Sequence, residues 1–236
     1  MSAALTLVLT VLWGGIVAAD TAAFLQLLLS QPLVAATVTG LLWGRVDLGC
    51  EVGALLQLFA LGVLPVGGRA PEDFAVGSVA GTATAAILER TDPVASAQGG
   101  PVLFGLLAAF VTALLGRVVV GWVRHRNERL ARWVEGELEQ GRLSALARAQ
   151  WAGVAQTFAV GTAWTAVAVA VWAIAGRAVF ARASFAFGSA YRIASPLLWG
   201  FGAGSVAHGL SRGRRGGTVF WFALVVFLAL RLWTAS

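Results

Sequence analysis

A chain of 236 residues with 58% hydrophobic and 12% charged residues and a mean hydropathy of +0.81 is not an ordinary soluble domain, which carries about a quarter charged residues. It is an integral membrane protein, and at roughly 20 apolar residues per crossing its length allows several spans in one domain with little room for a globular appendage. Its net charge of +6 comes from 17 basic residues, all arginine, set in short polar stretches; this excludes a Schiff-base lysine and points to positive-inside topology rather than to nucleic acid.

Hydropathy predicts apolar segments at Ala3–Ala18, Phe24–Gly44, Leu48–Gly67, Phe74–Leu88, Pro101–Val123, Trp151–Ala175, Phe185–His208 and Thr218–Trp233. The first has no basic residue before Arg45, so it lacks the n-region of a signal peptide and reads as a retained helix. Pro32 interrupts the second segment, and the fourth is short and rich in small residues. Such segments mark re-entrant or discontinuous helices. Between Asp20 and Asp73 the apolar pattern also carries Gln26, Ser30, Gln31, Glu51 and Gln57. Polar side chains and irregular backbone at membrane depth are tolerated where they line a cavity or are buried in protein, so this stretch reads as the wall of a polar pathway.

Residues 124–150 form the long polar stretch, with six arginines, four glutamates and Leu130, Trp133, Val134 and Leu138 at helical spacing. That pattern predicts an amphipathic helix on the membrane surface, and its arginines place it in the cytoplasm. The turn Arg212–Arg215 is expected on the same side, with Gly176–Ser184 and Glu89–Gly100 facing outward. The chain is accordingly read as one transmembrane domain, 1–236, divided into an N-terminal pathway half (1–123), a cytoplasmic amphipathic loop (124–150) and C-terminal helices (151–236). Trp13, Trp43, Trp122, Trp151, Trp199, Trp221 and Trp233 fall near predicted segment ends as interface anchors, and Trp43 is also a candidate ligand platform.

The catalytic inventory is poor. His125 and His208 lie in a charged stretch and at a segment end, and there is no Gly-x-Ser-x-Gly, no phosphate-binding Gly-x-x-x-x-Gly-Lys and no His-x-x-x-His. The lone Cys50 excludes an intramolecular disulfide and a cysteine-based metal cluster. No catalytic residue, metal site or cofactor is assigned. Asp20, Glu51 and Gln57 are more telling, because a charge at the bilayer centre costs about 2.5–3.5 kcal/mol on insertion scales, and carboxylates and amides offer the donors and acceptors that a polar ligand needs. The structural alternative is that Asp20 caps a helix, Glu51 pairs with Arg45 or Arg69, and Gln57 joins a helix contact.

The same stretch reads as an ordered string: Ala19-Asp20-Thr21-Ala22-Ala23-Phe24-Leu25-Gln26, Ser30-Gln31-Pro32-Leu33-Val34-Ala35, Thr39-Gly40-Leu41-Leu42-Trp43-Gly44, Leu48-Gly49, Glu51-Val52-Gly53-Ala54-Leu55-Leu56-Gln57-Leu58 and Leu64-Pro65-Val66-Gly67. It resembles the membrane-spanning IIC subunit of the mannose/fructose/sorbose family of bacterial sugar phosphotransferase permeases, most densely over residues 16–82 and more loosely to about 210. The resemblance implies an all-α polytopic membrane protein of the bacterial cytoplasmic (inner) membrane, taking a hexose-type sugar and working in an oligomeric complex. Its implied partners are a IID-like membrane subunit and soluble IIA/IIB phosphocarriers, which hold the phosphohistidines. The residues expected to line the sugar path are Gln26, Ser30, Gln31, Gln57, Glu72 and Asp73, supported by Asp20 and Glu51.

Departures from the family pattern are Gln31 where Ser-Arg-Pro is common, Arg45 where Gly-Asp is usual with the acid displaced to Asp47, and one apolar run after Arg212 where two are typical. They keep two rivals open. One is a non-transporting regulatory or scaffold member of the family. The other is an unrelated secondary transporter using Asp20 or Glu51 for proton or cation coupling.

Overall fold

The computed structural model describes residues 2–24, 26–62, 71–91, 98–210 and 216–235, and among them every regular element is an α-helix. In chain order these are α1 (Ala3–Ala22), α2 (Pro32–Trp43), α3 (Val46–Gly62), α4 (Phe74–Glu89), α5 (Gly100–Glu139), α6 (Ser144–Leu210) and α7 (Gly216–Ala235). Helices α1, α5 and α6 are long and apolar enough to cross a membrane.

Helix α1 starts where Ser2 Oγ accepts the Leu5 N–H at 3.3 Å. Its 20 residues reach about 30 Å, the thickness of the hydrocarbon core. Helix α2 begins with Pro32, whose fixed φ suits a first helical position, and stops at Gly44 in the left-handed region (φ 73°). At 12 residues it spans about 18 Å and cannot cross alone. It folds back on α3 as a re-entrant hairpin. Side chains are missing at the contact because Gly40 and Gly49 meet backbone to backbone, and a Cβ on Gly53 would lie 2.9 Å from the Leu33 Cα. This small-residue approach is how helices associate without a hydrophobic drive between them.

Helix α4 is the centre of the bundle. Every residue from Ala75 to Leu88 is buried, as expected of a helix apolar all round, and Gly77 and Gly81 let it lie against Ala109, Ala113 and Gly105 of α5. Asp73 caps it, Oδ1 accepting from Val76 N–H at 3.0 Å. Three side-chain layers fill the space around α4: Leu48, Val52, Leu55 and Leu56 with Leu106 and Ala109, Trp43 with Ala80, Ala83 and Ala168, and Val17 with Ala35 and Val79.

Residues 124–150 are not a separate surface helix. α5 runs unbroken for 40 residues to Glu139, about 60 Å and twice a bilayer's apolar core, and turns at Gly141 (φ 77°) into α6. The amphipathic pattern belongs to a projecting helical hairpin. Arg126 Nε donates to Gln156 Oε1 at 3.0 Å across its two arms, and Glu137 holds Arg142 through Nε and Nη2 at 2.6 and 2.7 Å, raising the guanidinium pKa further.

The connection expected over 176–184 is likewise compressed. α6 stays helical through it except at Ala183 (φ −137°, ψ 19°), where two helices meet at a kink. The first arm runs antiparallel to α5, with Trp172 Nε1 donating to Thr112 Oγ1 at 2.9 Å. Beyond the kink the second arm returns beside α3, pairing Tyr191 with Glu51 and Gly202 with Leu58. Phe104, Phe180 and Phe187 pack across the bend with ring centroids 5.4–5.7 Å apart, and this aromatic wedge makes a longer loop unnecessary. The turn at 212–215 and the segment 92–97 lie outside the described residues.

Candidate functional site

A cavity of about 1150 Å³ opens between α1, the hairpin α2–α3, the start of α4 and the inner faces of α5 and α6. Ser30, Gln31, Gln57, Glu72 and Asp73 line it together with Asn127, Gln150, Thr157 and Trp164. Asp73 N–H donates to Ala113 O at 3.0 Å, which puts its end of the cavity about 20 Å along α5 from Gly100, within the apolar part of that helix. The other end reaches Arg124 and Glu135 of the projecting hairpin. The cavity thus runs from membrane depth to the arginine-rich end of the bundle.

The side chains are held from different elements. Gln57, on α3, donates from Nε2 to Gln31 Oε1 at 2.8 Å and accepts the Leu33 N–H on Oε1 at 3.3 Å. It therefore ties the open start of α2, whose first N–H groups have no partner inside the helix, and also faces the cavity. Glu72 approaches Arg117 Nη1 at 3.8 Å. Asp20, 4% exposed, accepts from Leu27 N–H on Oδ1 at 2.6 Å and from Ser30 N–H on Oδ2 at 2.9 Å. It fixes the connection into α2 in which Gln26 and Leu28 take positive φ of 50° and 65°. That backbone is disfavoured for non-glycine residues, and the carboxylate that spans it holds Ser30 on the cavity wall.

Four of the residues singled out in the sequence lie off the cavity wall. Gln26 is exposed and is not among the residues that line the cavity. Glu51 accepts the Tyr191 hydroxyl and joins α3 to the returning arm of α6, not the cavity. Arg45 is paired instead with Asp47, Nη2 to Oδ2 at 2.8 Å, and with Glu89. This arginine keeps the Asp47 carboxyl below the ordinary range, and the displaced acid is thereby explained as half of a hairpin-end ion pair. Trp43 does not line this cavity. It is 5% exposed, donates to Thr10 Oγ1 at 3.0 Å and carries the Arg90 guanidinium 5.2 Å from its ring centroid, at the end of the bundle away from the cavity.

Sequence reasoning missed Trp164, Asn127, Gln150 and Arg124. Asn127 and Gln150 are both amides inside the charged stretch, so composition gave no means to separate them from solvated residues. Gln150 Nε2 donates to Ala23 O at 3.2 Å, joining the hairpin to the strained connection. His125 sits beside Glu128 at 3.4 Å on the exposed hairpin and His208 packs on Phe220; neither lines the cavity. Among the described residues no cluster of His, Cys, Asp and Glu could hold a metal ion.

The protein-family model described as "PTS system sorbose-specific iic component" matches residues 4–231. A solved structure described as "Structure of membrane protein" is similar with a TM-score of 0.69, at 17% identity, covering 100% of this chain and 93% of that one; at that identity the likeness speaks for the fold. No curated protein matches the chain.

Proposed function

The chain belongs to the sorbose-specific IIC family of the phosphotransferase system and is a multi-pass membrane component of that system, and from that premise we propose that it forms part of a sugar translocation path and couples uptake to phosphorylation by partner subunits. The observation that carries this reading is the convergence of Ser30, Gln31, Gln57, Glu72 and Asp73, from three separate chain segments, on one cavity. A neutral hexose leaves no net charge to neutralise, and a wall of amides, hydroxyl and carboxylates over an otherwise apolar surface matches its many hydroxyls.

The phosphoryl donors belong to soluble IIA/IIB partners, in keeping with a chain whose two histidines lie off the cavity. They approach from the arginine-rich end, which the positive-inside rule assigns to the cytoplasm of a bacterial inner membrane. A IID-like membrane subunit completes the complex in this reading, in keeping with a family that works with partner subunits. In this reading residues 1–123 carry the pathway, 124–150 the cytoplasmic hairpin and 151–236 the supporting helices.

The test is uptake of labelled hexoses by cells expressing the chain with its IID-like and IIA/IIB partners. Accumulation that falls at least tenfold in Gln57→Leu and Asp73→Ala, with both variants present in the membrane at wild-type levels, supports the reading. Undiminished accumulation in both excludes this cavity as the path.

A further inference from the structure

The cavity opens toward the arginine-rich end of the bundle, and at the opposite end the tip of the re-entrant hairpin closes over α1 and α4. Trp43, Gly44 and Arg45 make that tip. α2 stops at Gly44 (φ 73°), Arg45 N–H donates to Gly40 O at 2.7 Å, and α3 starts one residue later. Trp43 Nε1 donates to Thr10 Oγ1 of α1 at 3.0 Å, and its ring packs with Ala80, Ala83 and Ala86 of α4.

Two arginines cross between this tip and the end of α4. Arg45 pairs through Nη1 with Glu89, whose side chain is 13% exposed. In the other direction Arg90 Nη2 donates to Trp43 O at 3.0 Å, and its guanidinium lies 5.2 Å from the Trp43 ring centroid. Asp47 accepts from Arg45 Nε and Nη2 at 3.1 and 2.8 Å, which leaves Nη1 turned to Glu89. The apolar part of the contact offers less grip, because the three alanines present only methyl groups to the Trp43 ring. Within the hairpin, by contrast, α2 and α3 meet backbone to backbone at Gly40 and Gly49, so the hairpin is stiff. Gln57 lies about 16 Å along α3 from Val46, and a movement of the tip is therefore carried to the cavity wall.

Resting on the permease reading, we propose that the crossed arginines are a clasp that holds the far end of the path shut while the cavity is open to the arginine-rich end. A site at membrane depth serves both sides of a bilayer when one part of the fold rocks against another, and such motions switch between discrete packings. Here the stiff hairpin is the moving part and α4 the part it leaves. The Arg45–Glu89 pair and the Arg90 contact to Trp43 part before the tip can swing off the smooth alanine face.

The experiment places one cysteine under the tip, Ala86→Cys on a Cys50→Ser background, and measures its rate of reaction with an impermeant thiol reagent added outside cells that express the complex with its membrane partner. Ala86 is 1% exposed and the reagent reaches it only when the tip lifts. Arg45→Gln and Glu89→Gln are each expected to raise the rate about fivefold, and the two together no further than either alone, since both remove one interaction. Either variant suffices if the other does not reach the membrane. Ala108→Cys is the control: it is buried on α5 between Phe104 and Thr112, both of which face Trp172 of α6, and its rate should not move. Equal rates at position 86 in every background, additive effects of the two changes, or the same acceleration at position 108 would overturn the clasp and leave the permease reading intact. Acceleration at position 86 in a complex whose unaltered form takes up no hexose would overturn the permease reading and, with it, the clasp's role as a gate.

Discussion

Replacing Gln57 with leucine removes two hydrogen bonds with one truncation of polarity, the 2.8 Å bond to Gln31 Oε1 and the 3.3 Å bond from Leu33 N–H. Each net bond contributes about 0.5–1.5 kcal/mol, and a partner left buried and unpaired costs about 1–3 kcal/mol. Gln57 and Gln31 are half-buried on a cavity wall, so water can replace part of what is lost and the fold should weaken by about 1–2 kcal/mol. The ligand cannot be compensated in the same way. With Gln31 untethered and one amide absent, hexose binding should fall roughly ten- to hundred-fold at 1–3 kcal/mol of lost interaction. Gln57→Glu is the discriminating control: a carboxylate still accepts from Leu33 N–H, and a flipped Gln31 amide can donate to it, so fold and most of the binding survive. The assay is sugar binding and uptake beside thermal unfolding in the same detergent. Normal uptake by Gln57→Leu, or equal losses in the leucine and glutamate variants, would refute the assignment.

Asp20→Ala leaves Leu27 and Ser30 N–H groups without their acceptor and releases the positive-φ residues, so the α1–α2 connection should become protease-sensitive, and uptake should fall at least fivefold; an unchanged digestion pattern would contradict its clasping role. Gly49→Val places branched carbons against the Ala36 carbonyl and Gly40, and a loss of monodisperse protein is expected on size-exclusion chromatography, at an overpacking cost of about 1–3 kcal/mol or more. Tyr191→Phe removes the partner of Glu51, and a drop of several degrees in melting temperature with little change in sugar affinity is expected, since the pair lies off the cavity. On a Cys50→Ser background, a cysteine at position 135 should resist an impermeant thiol reagent added outside intact cells and react in inverted vesicles.

Much of the fold was legible because apolar length and breaks speak directly to membrane solvation. Pro32 opening a short helix, Gly44 ending it and Asp73 capping the next are local signals, and each stands where the pattern breaks. The continuity of α5 into residues 124–139 was not legible, because an amphipathic stretch looks the same whether it lies on a membrane or extends a spanning helix. A break between the segments ending at Ala175 and starting at Phe185 was legible, but not that it shrinks to a bend at Ala183, because that depends on Phe180 and Phe187 packing with the distant Phe104 of α5. At the site, Ser30, Gln31, Gln57, Glu72 and Asp73 were visible as polar residues in an apolar run. Glu51 belongs to the same run, yet its partner Tyr191 is 140 residues away, and only packing could separate it from the wall. Trp164 carried no local signal, since one tryptophan in an apolar helix reads as packing or an interface anchor.

The central claim is tested most directly with inside-out membrane vesicles containing the chain, its IID-like subunit and the soluble phosphocarriers, supplied with phosphoenolpyruvate and loaded with labelled hexose. The account predicts that label leaves the lumen as sugar phosphate, only when phosphoenolpyruvate and this chain are both present, and with the rate reduced at least tenfold by Gln57→Leu. Free, unphosphorylated sugar moving in response to a proton or sodium gradient, without need of phosphoenolpyruvate, would contradict it.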